Sequence, residues 1–174
     1  MKPHYAASAG FLAFSIAVSS AQAAGPTDSQ IAAIVVTANQ VDIDAGKLAL
    51  SNAESPDIKA FAQLMITDHS GVNEAAAELV QKLHVTPANN PASQSLQKGG
   101  DDNLAALKKL SGSAFDRGYV DHEVVYHQAV LDAVDTTLIP NAQNAELKAL
   151  LVKVRPAFVA HLTHAKHLQS ELGK

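Results

Sequence analysis

Residues 55–83 read SPDIKAFAQLMITDHSGVNEAAAELVQKL. Ser55 is a helix-capping residue type, and Pro56 suits the first helical position, where a missing N–H costs nothing. From there Ile58, Ala62, Met65, His69, Val72, Ala76, Leu79 and Leu83 follow in alternating steps of four and three. That is the spacing of the stripe a helix buries in a bundle. The stripe is apolar throughout except for one imidazole, His69.

The same pattern recurs on both sides. A helix from Thr27 or Asp28 to about Asn52 carries Ile31, Val35, Ala38, Asp42, Ala45, Ala49 and Asn52 in its stripe. A third long helix, Ser113 to about Leu138, carries Val120, Val124, His127, Leu131, Val134 and Leu138. A fourth, from about Ala142 to Leu172, carries Leu147, Leu151, Val154, Phe158, His161, Ala165, Leu168 and Leu172, with Pro156 expected to kink or interrupt it. Val85 to Gly100 contains Pro87, Asn89-Asn90, Pro91 and Gly99-Gly100 and is expected to be mostly loop. Asp101 or Asp102 then caps a short helix to Leu110, and Ser111-Gly112 breaks it. The first and third connections are short and suggest antiparallel hairpins; the middle one is long enough to cross the bundle. The expectation is an all-α, ferritin-like four-helix bundle with a long, partly helical crossover between helices 2 and 3.

Composition narrows the function classes. The chain has 174 residues, one domain's worth, and its formal net charge of −4 argues against nucleic acid as a partner. There is no cysteine, which excludes disulfides, thiolate metal sites, a thiol nucleophile and covalently attached haem. There is no Trp and only 5% aromatic residues, too few for a stacking platform. Lys2, the apolar run Ala6 to Val18 and Ala21-Gln22-Ala23 read as a secretory signal cleaved after Ala23. The bundle domain is then residues 24–174, with the periplasm or another extracytoplasmic space as destination. No later stretch is apolar enough to span a membrane. The partner is left unnamed, and a homo-oligomer is open.

The eight histidines are the chemical anomaly. Each stripe holds one ionisable residue: Asp42, His69, His127 and His161. A buried carboxylate or imidazole is costly unless it is paired or ligated, and inward-facing residues of this kind are how bundles build metal sites. Asp42 lies about 12 residues before the first turn and His69 about 14 after it, so both sit about 20 Å deep. His127 reaches the same depth if its helix starts near Ser113. An unbroken fourth helix is expected to put His161 about ten residues off that level, leaving His122 or Tyr119 as its neighbour. Glu123, four residues before His127, reads either as a ligand or hydrogen-bond partner of that imidazole or as a solvated flank residue. Asp68 points about 100° away from His69 and is expected to face solvent. His164 and His167 are expected at the surface, and His84 at a helix end.

Three imidazoles and carboxylates suit one transition metal ion, Zn, Fe, Mn, Cu or Ni. Two other readings stay open: a polar layer that binds nothing, and a b-type haem held by two histidines. Nucleophilic and nucleotide motifs are absent: there is no G-x-S-x-G, no phosphate-binding loop and no H-E-x-x-H.

Val41-Asp42-Ile43-Asp44-Ala45-Gly46-Lys47-Leu48-Ala49, Lys59 through His69, Leu110 through Tyr119, and His161-Leu162 with Ala165 and Leu168 together resemble the bacterial family catalogued as domain of unknown function 4142. The resemblance spans nearly the whole chain after the signal segment. It implies a secreted protein, often labelled an outer membrane protein, with a ferritin-like fold and no settled activity. The family's first-helix motif usually has glutamate where this chain has Asp42. The E-x-x-H motifs of ferritin-like di-iron enzymes are missing, since Ile66, Val124 and Phe158 stand three residues before His69, His127 and His161. Storage, sensing or stress protection is the expected role if a metal binds. Otherwise the reading is a non-catalytic structural or interaction protein.

Overall fold

Each of the longest helices opens on a side chain that satisfies its first free N–H groups. Thr27 Oγ1 accepts from the Gln30 N–H at 3.4 Å while Gln30 Oε1 accepts from the Thr27 N–H at 2.9 Å, a reciprocal capping box. This starts α1, Asp28–Asn52. Ser55 caps α2, Pro56–Lys82, and Asn144 Oδ1 caps α6, Ala145–Leu172. The structure, a computed structural model, describes residues 25–173; the expected signal segment lies outside the described residues.

The middle connection differs from expectation. A helix, α3, runs over Pro91–Leu107, straight through the stretch expected to be loop. Asn90 Oδ1 accepts from the Ala92 and Ser93 N–H groups, and Pro91 takes the first helical position. Gly99-Gly100 does not break the helix, because Gly100 is where α3 presses on α1. A Cβ there would stand 2.7 Å from Val41 Cγ2. Small residues serve the α1–α2 contact in the same way: a Cβ on Gly46 would meet the Ala62 carbonyl and Ile66 at 3.0 Å.

α4 spans Gly112–Ala133 and continues through a π-helical segment, Val134–Leu138, into the short α5, Ile139–Asn141. Pro140 has no N–H to offer the Thr136 carbonyl, and the Ile139 N–H reaches back five residues to the Val134 carbonyl. α6 starts at Ala145 rather than Ala142 and is unbroken at Pro156. Pro156 and Val152, whose carbonyl loses its partner, both lie on the exposed face, where water serves the orphan.

The hairpins α1–α2 and α4–α6 pack into a ferritin-like four-helix bundle, with α3 crossing back along α1 so that α2 and α4 run parallel. Each end is tied by one aspartate. Asp116 accepts from the Glu54 and Ser55 N–H groups at 3.0 and 2.9 Å. Asp28 accepts from the Gln143 and Asn144 N–H groups, both at 2.9 Å. In both cases the aspartate of one hairpin holds the two residues that open the next helix of the other. No helix among the described residues is long and apolar enough to cross a membrane.

The core is split. One apolar cluster, around Phe61, Met65, Phe115, Tyr119 and Leu168, fills the end that holds the α1–α2 turn. Another, around Ile31, Val134, Leu147 and Leu151, fills the opposite end. Between them lies a polar layer.

Candidate metal centre

Five ionisable side chains meet in that layer. Asp42 from α1, His69 from α2, Glu123 and His127 from α4 and His161 from α6 are each at most 2% exposed. The ring centroids of His69, His127 and His161 are 5.2 to 5.5 Å apart in every pairing. His161 is therefore level with the others, against expectation. α6 runs unbroken to Leu172, eleven residues beyond His161, so the two hairpins bring their polar residues to one depth. Neither His122 nor Tyr119 takes its place. The His122 ring stacks on Tyr126 at 5.3 Å, and the Tyr119 hydroxyl is buried facing Glu123. Glu123 is no flank residue; it is fully buried.

Each imidazole is held by one nitrogen. His69 Nδ1 donates to Asn39 Oδ1 at 2.7 Å, and Asn39 Nδ2 donates to the Val35 carbonyl at 2.9 Å, which fixes the amide's orientation. His127 Nδ1 donates to the Glu123 carbonyl at 3.1 Å, with Glu123 Oε2 3.3 Å away. His161 Nε2 donates to Asp68 Oδ2 at 2.8 Å. These partners leave His69 Nε2, His127 Nε2 and His161 Nδ1 as the unprotonated nitrogens. Among the described residues, none of the three has a hydrogen-bond partner. One ring nitrogen from each lies within 4.8 Å of the others. A carboxylate oxygen of Asp42, one of Glu123 and a His127 nitrogen form a second such group, and Asp42 Oδ2 is 3.5 Å from His69 Nε2.

Burial sets the protonation. Loss of water, with His127 and His161 nearby, holds the His69 imidazolium down to about 2, so its ring is neutral. Loss of water likewise lowers His161 and His122. The Asp42 carboxyl is pushed well above the usual range by burial, and further by Glu123 beside it. Asp42 Oδ1 and both Glu123 oxygens find no donor among the described residues. A proton on Asp42 donated to Glu123 pairs one oxygen of each carboxyl and leaves the other Glu123 oxygen open. The neutral His69 ring is in the protonation state a metal ion needs, whereas the Asp42 carboxyl has to give up its proton before it ligates.

Two contributors were missed from sequence. Asn39 lies three residues before Asp42 and off the stripe. Asp68, expected to face solvent, keeps 38% of its side chain exposed yet turns its carboxylate onto His161. The Asn39 signal was an amide following the apolar run of Ile34, Val35 and Ala38, though Gln40 beside it blurs that signal. No local signal marks Asp68, because only the packing of α6 brings His161 to it. His164 packs edge-on against Phe61, His167 is exposed, and His84 ends α2 in a left-handed backbone conformation, φ 52°.

Residues 13–168 match the model of the family described as domain of unknown function DUF4142, and the chain belongs to that family. Two solved structures are similar. One is "CopM in the Cu(II)-bound form", at 20% identity and a TM-score of 0.65, with 84% of this chain and 98% of that chain covered. The other is "CopM in the Ag-bound form (by co-crystallization)", at 21% identity and a TM-score of 0.65, with 84% and 97% covered. At such identities the likeness shows a shared fold. No curated protein matches the chain.

Proposed function

We propose that this DUF4142 protein binds one divalent transition metal ion through His69, His127 and His161, with Asp42 and Glu123 as neighbouring carboxylates. One observation carries the reading. Three imidazoles from three helices each have one nitrogen tied to an oxygen and the other buried without a partner, and one nitrogen of each ring lies within 4.8 Å of the others. A hydrogen bond on the far nitrogen is how proteins orient a ligating histidine and raise its basicity. Buried polar atoms without partners are rare because each costs about 1–3 kcal/mol, and an ion would satisfy several at once.

The donor set argues for the ion's type. Imidazole suits Zn, Cu, Fe and Ni. There is no cysteine, and the two methionines are Met1 and Met65. The layer therefore offers no thiolate and at most one thioether, which favours Cu(II) or Zn(II) over the soft monovalent ions. Of the two similar structures, the one named as Cu(II)-bound agrees with this choice and the one named as Ag-bound carries a soft monovalent ion. The protein would then act outside the cytoplasm, as the Met1–Ala23 segment suggests, in metal storage, sensing or protection from metal stress.

A rival is a buried layer that binds no ion, favoured by the Asp42–Glu123 contact, where a carboxyl raised well above its usual range faces a second one. Metal analysis of the purified full chain after loading with Cu(II) or Zn(II) and dialysis separates the two. Stoichiometric metal in the wild type, lost in His69→Ala and His127→Ala variants that keep their helical content, supports the site. Equal, near-zero metal in all three sinks it.

A further inference from the structure

A pocket of about 140 Å³ lies between α1 and α4, directly beside the polar layer. Its inner end is Asp42 and His69. Its walls are carbon almost throughout. Of the other polar residues in its lining, Asn39 and Tyr126, the Asn39 amide is engaged on both atoms, with His69 and with the Val35 carbonyl. Native cores close such voids. Here alanines at 38, 129 and 133 stand where larger side chains would fill the space. The α4 wall also passes into the π-helical segment, whose Val134 and Leu138 line the pocket; π-helical turns are often found at functional sites. The Tyr126 hydroxyl donates to the Ala38 carbonyl at 3.1 Å and ties the two walls together across the seam.

We infer that this pocket is a binding site for a small nonpolar molecule, which would rest against the imidazole layer. A closed apolar cavity of about 150 Å³ stays dry and takes benzene or xenon; this pocket is close to that size and mostly apolar, but is partly open to solvent. Away from Asp42 and His69, whose Oδ1 and Nε2 have no hydrogen-bond partner, a polar occupant finds no free group along the walls, and a charged one would be desolvated along most of its surface. The assignment does not depend on whether the layer holds metal, and it is tested on the metal-free protein.

The test is a benzene titration of the full chain followed by methyl resonances in solution. The wild type should show saturable shifts confined to methyl groups that line the pocket, those of Val35, Val134, Leu138, Leu151 and Val154 among them. Ala133→Leu, which fills the pocket from its outer side, should weaken binding at least about tenfold. Absence of saturable shifts in the wild type overturns the proposal, as does unchanged affinity in a folded Ala133→Leu. Should that variant lose its fold, Val154→Ala decides. The enlarged pocket should take p-xylene more tightly than the wild type does, and no gain there overturns the assignment.

Discussion

The shortest hydrogen bond to an imidazole in the polar layer joins His69 Nδ1 to Asn39 Oδ1, at 2.7 Å between two helices and wholly out of water. Asn39 is itself anchored on the Val35 carbonyl. The amide therefore decides which His69 nitrogen carries the proton and aims the other into the layer. Removing it by Asn39→Ala leaves Nδ1 without an acceptor, and the ring is free to change tautomer. Affinity for Cu(II) or Zn(II) should fall about 10- to 100-fold, with a loss of about 1–3 kcal/mol in stability of the metal-free protein. Competition titration and chemical denaturation measure the two. An unchanged affinity would show that His69 does not ligate through Nε2.

Asp68 does the same task for His161 from a partly exposed position. Water can replace its carboxylate there. Asp68→Ala should weaken metal binding only a few-fold, roughly within the lower end of effects for such partners, and leave stability nearly unaltered. A loss as large as that from Asn39→Ala would mean that this carboxylate contributes more than orientation.

Acid should loosen the metal-free protein. The unfolded chain takes up protons on His69, His161 and His122 near the ordinary 6.5, whereas the folded chain resists, in the case of His69 down to about 2. Below about pH 6.5 the unfolded state binds more protons, so stability falls as pH drops. Asp42 works in the opposite sense. Its folded carboxyl keeps a proton above 3.8, where the unfolded one has lost it, so its contribution fades as pH rises. Three imidazoles against one carboxyl set the net sign. The melting temperature should decline from pH 7 to pH 5, with each unbalanced proton worth up to about 1.4 kcal/mol per pH unit. A flat or rising profile would contradict the buried neutral rings.

Metal uptake should release a proton from Asp42. Burial and Glu123 shift that carboxyl toward its protonated form, and a cation in the layer reverses the balance. Titration calorimetry in buffers of different ionisation enthalpy should report net proton release on metal binding. Asp42→Asn should release less. Identical release from wild type and variant would place the proton elsewhere.

Asp116 supports the frame and not the site. It is buried and holds the Glu54 and Ser55 N–H groups at the α1–α2 turn. Asp116→Ala strands both donors and should cost about 2–4 kcal/mol. Asp28→Ala, at the more exposed opposite end, should cost less. Both variants, once folded, should bind metal as the wild type does; a selective loss of affinity in either would tie the ends of the bundle to its centre.

The order of polar and apolar residues along the chain was enough to mark four long helices, a crossing middle connection and one ionisable residue in each stripe. Periodicity reports a helix's own buried face directly, so Asp42, His69, His127 and His161 were legible. The crossover helix was not. Asn90-Pro91 and Gly99-Gly100 read as loop, whereas Asn90 caps the helix, Pro91 opens it and Gly100 is held against Val41. Which nitrogen of each ring is free, and that Glu123 and Asp68 turn toward the histidines, depended on how α4 and α6 rotate against α1 and α2. That rotation is settled by packing between helices distant in sequence, where Gly46 and Gly100 allow close approach and Asp28 and Asp116 tie the ends. The sequence thus determined which residues go inside. Only the tertiary structure decided which atoms they turn toward one another, because a hydrogen bond's direction is a property of two surfaces and not of one.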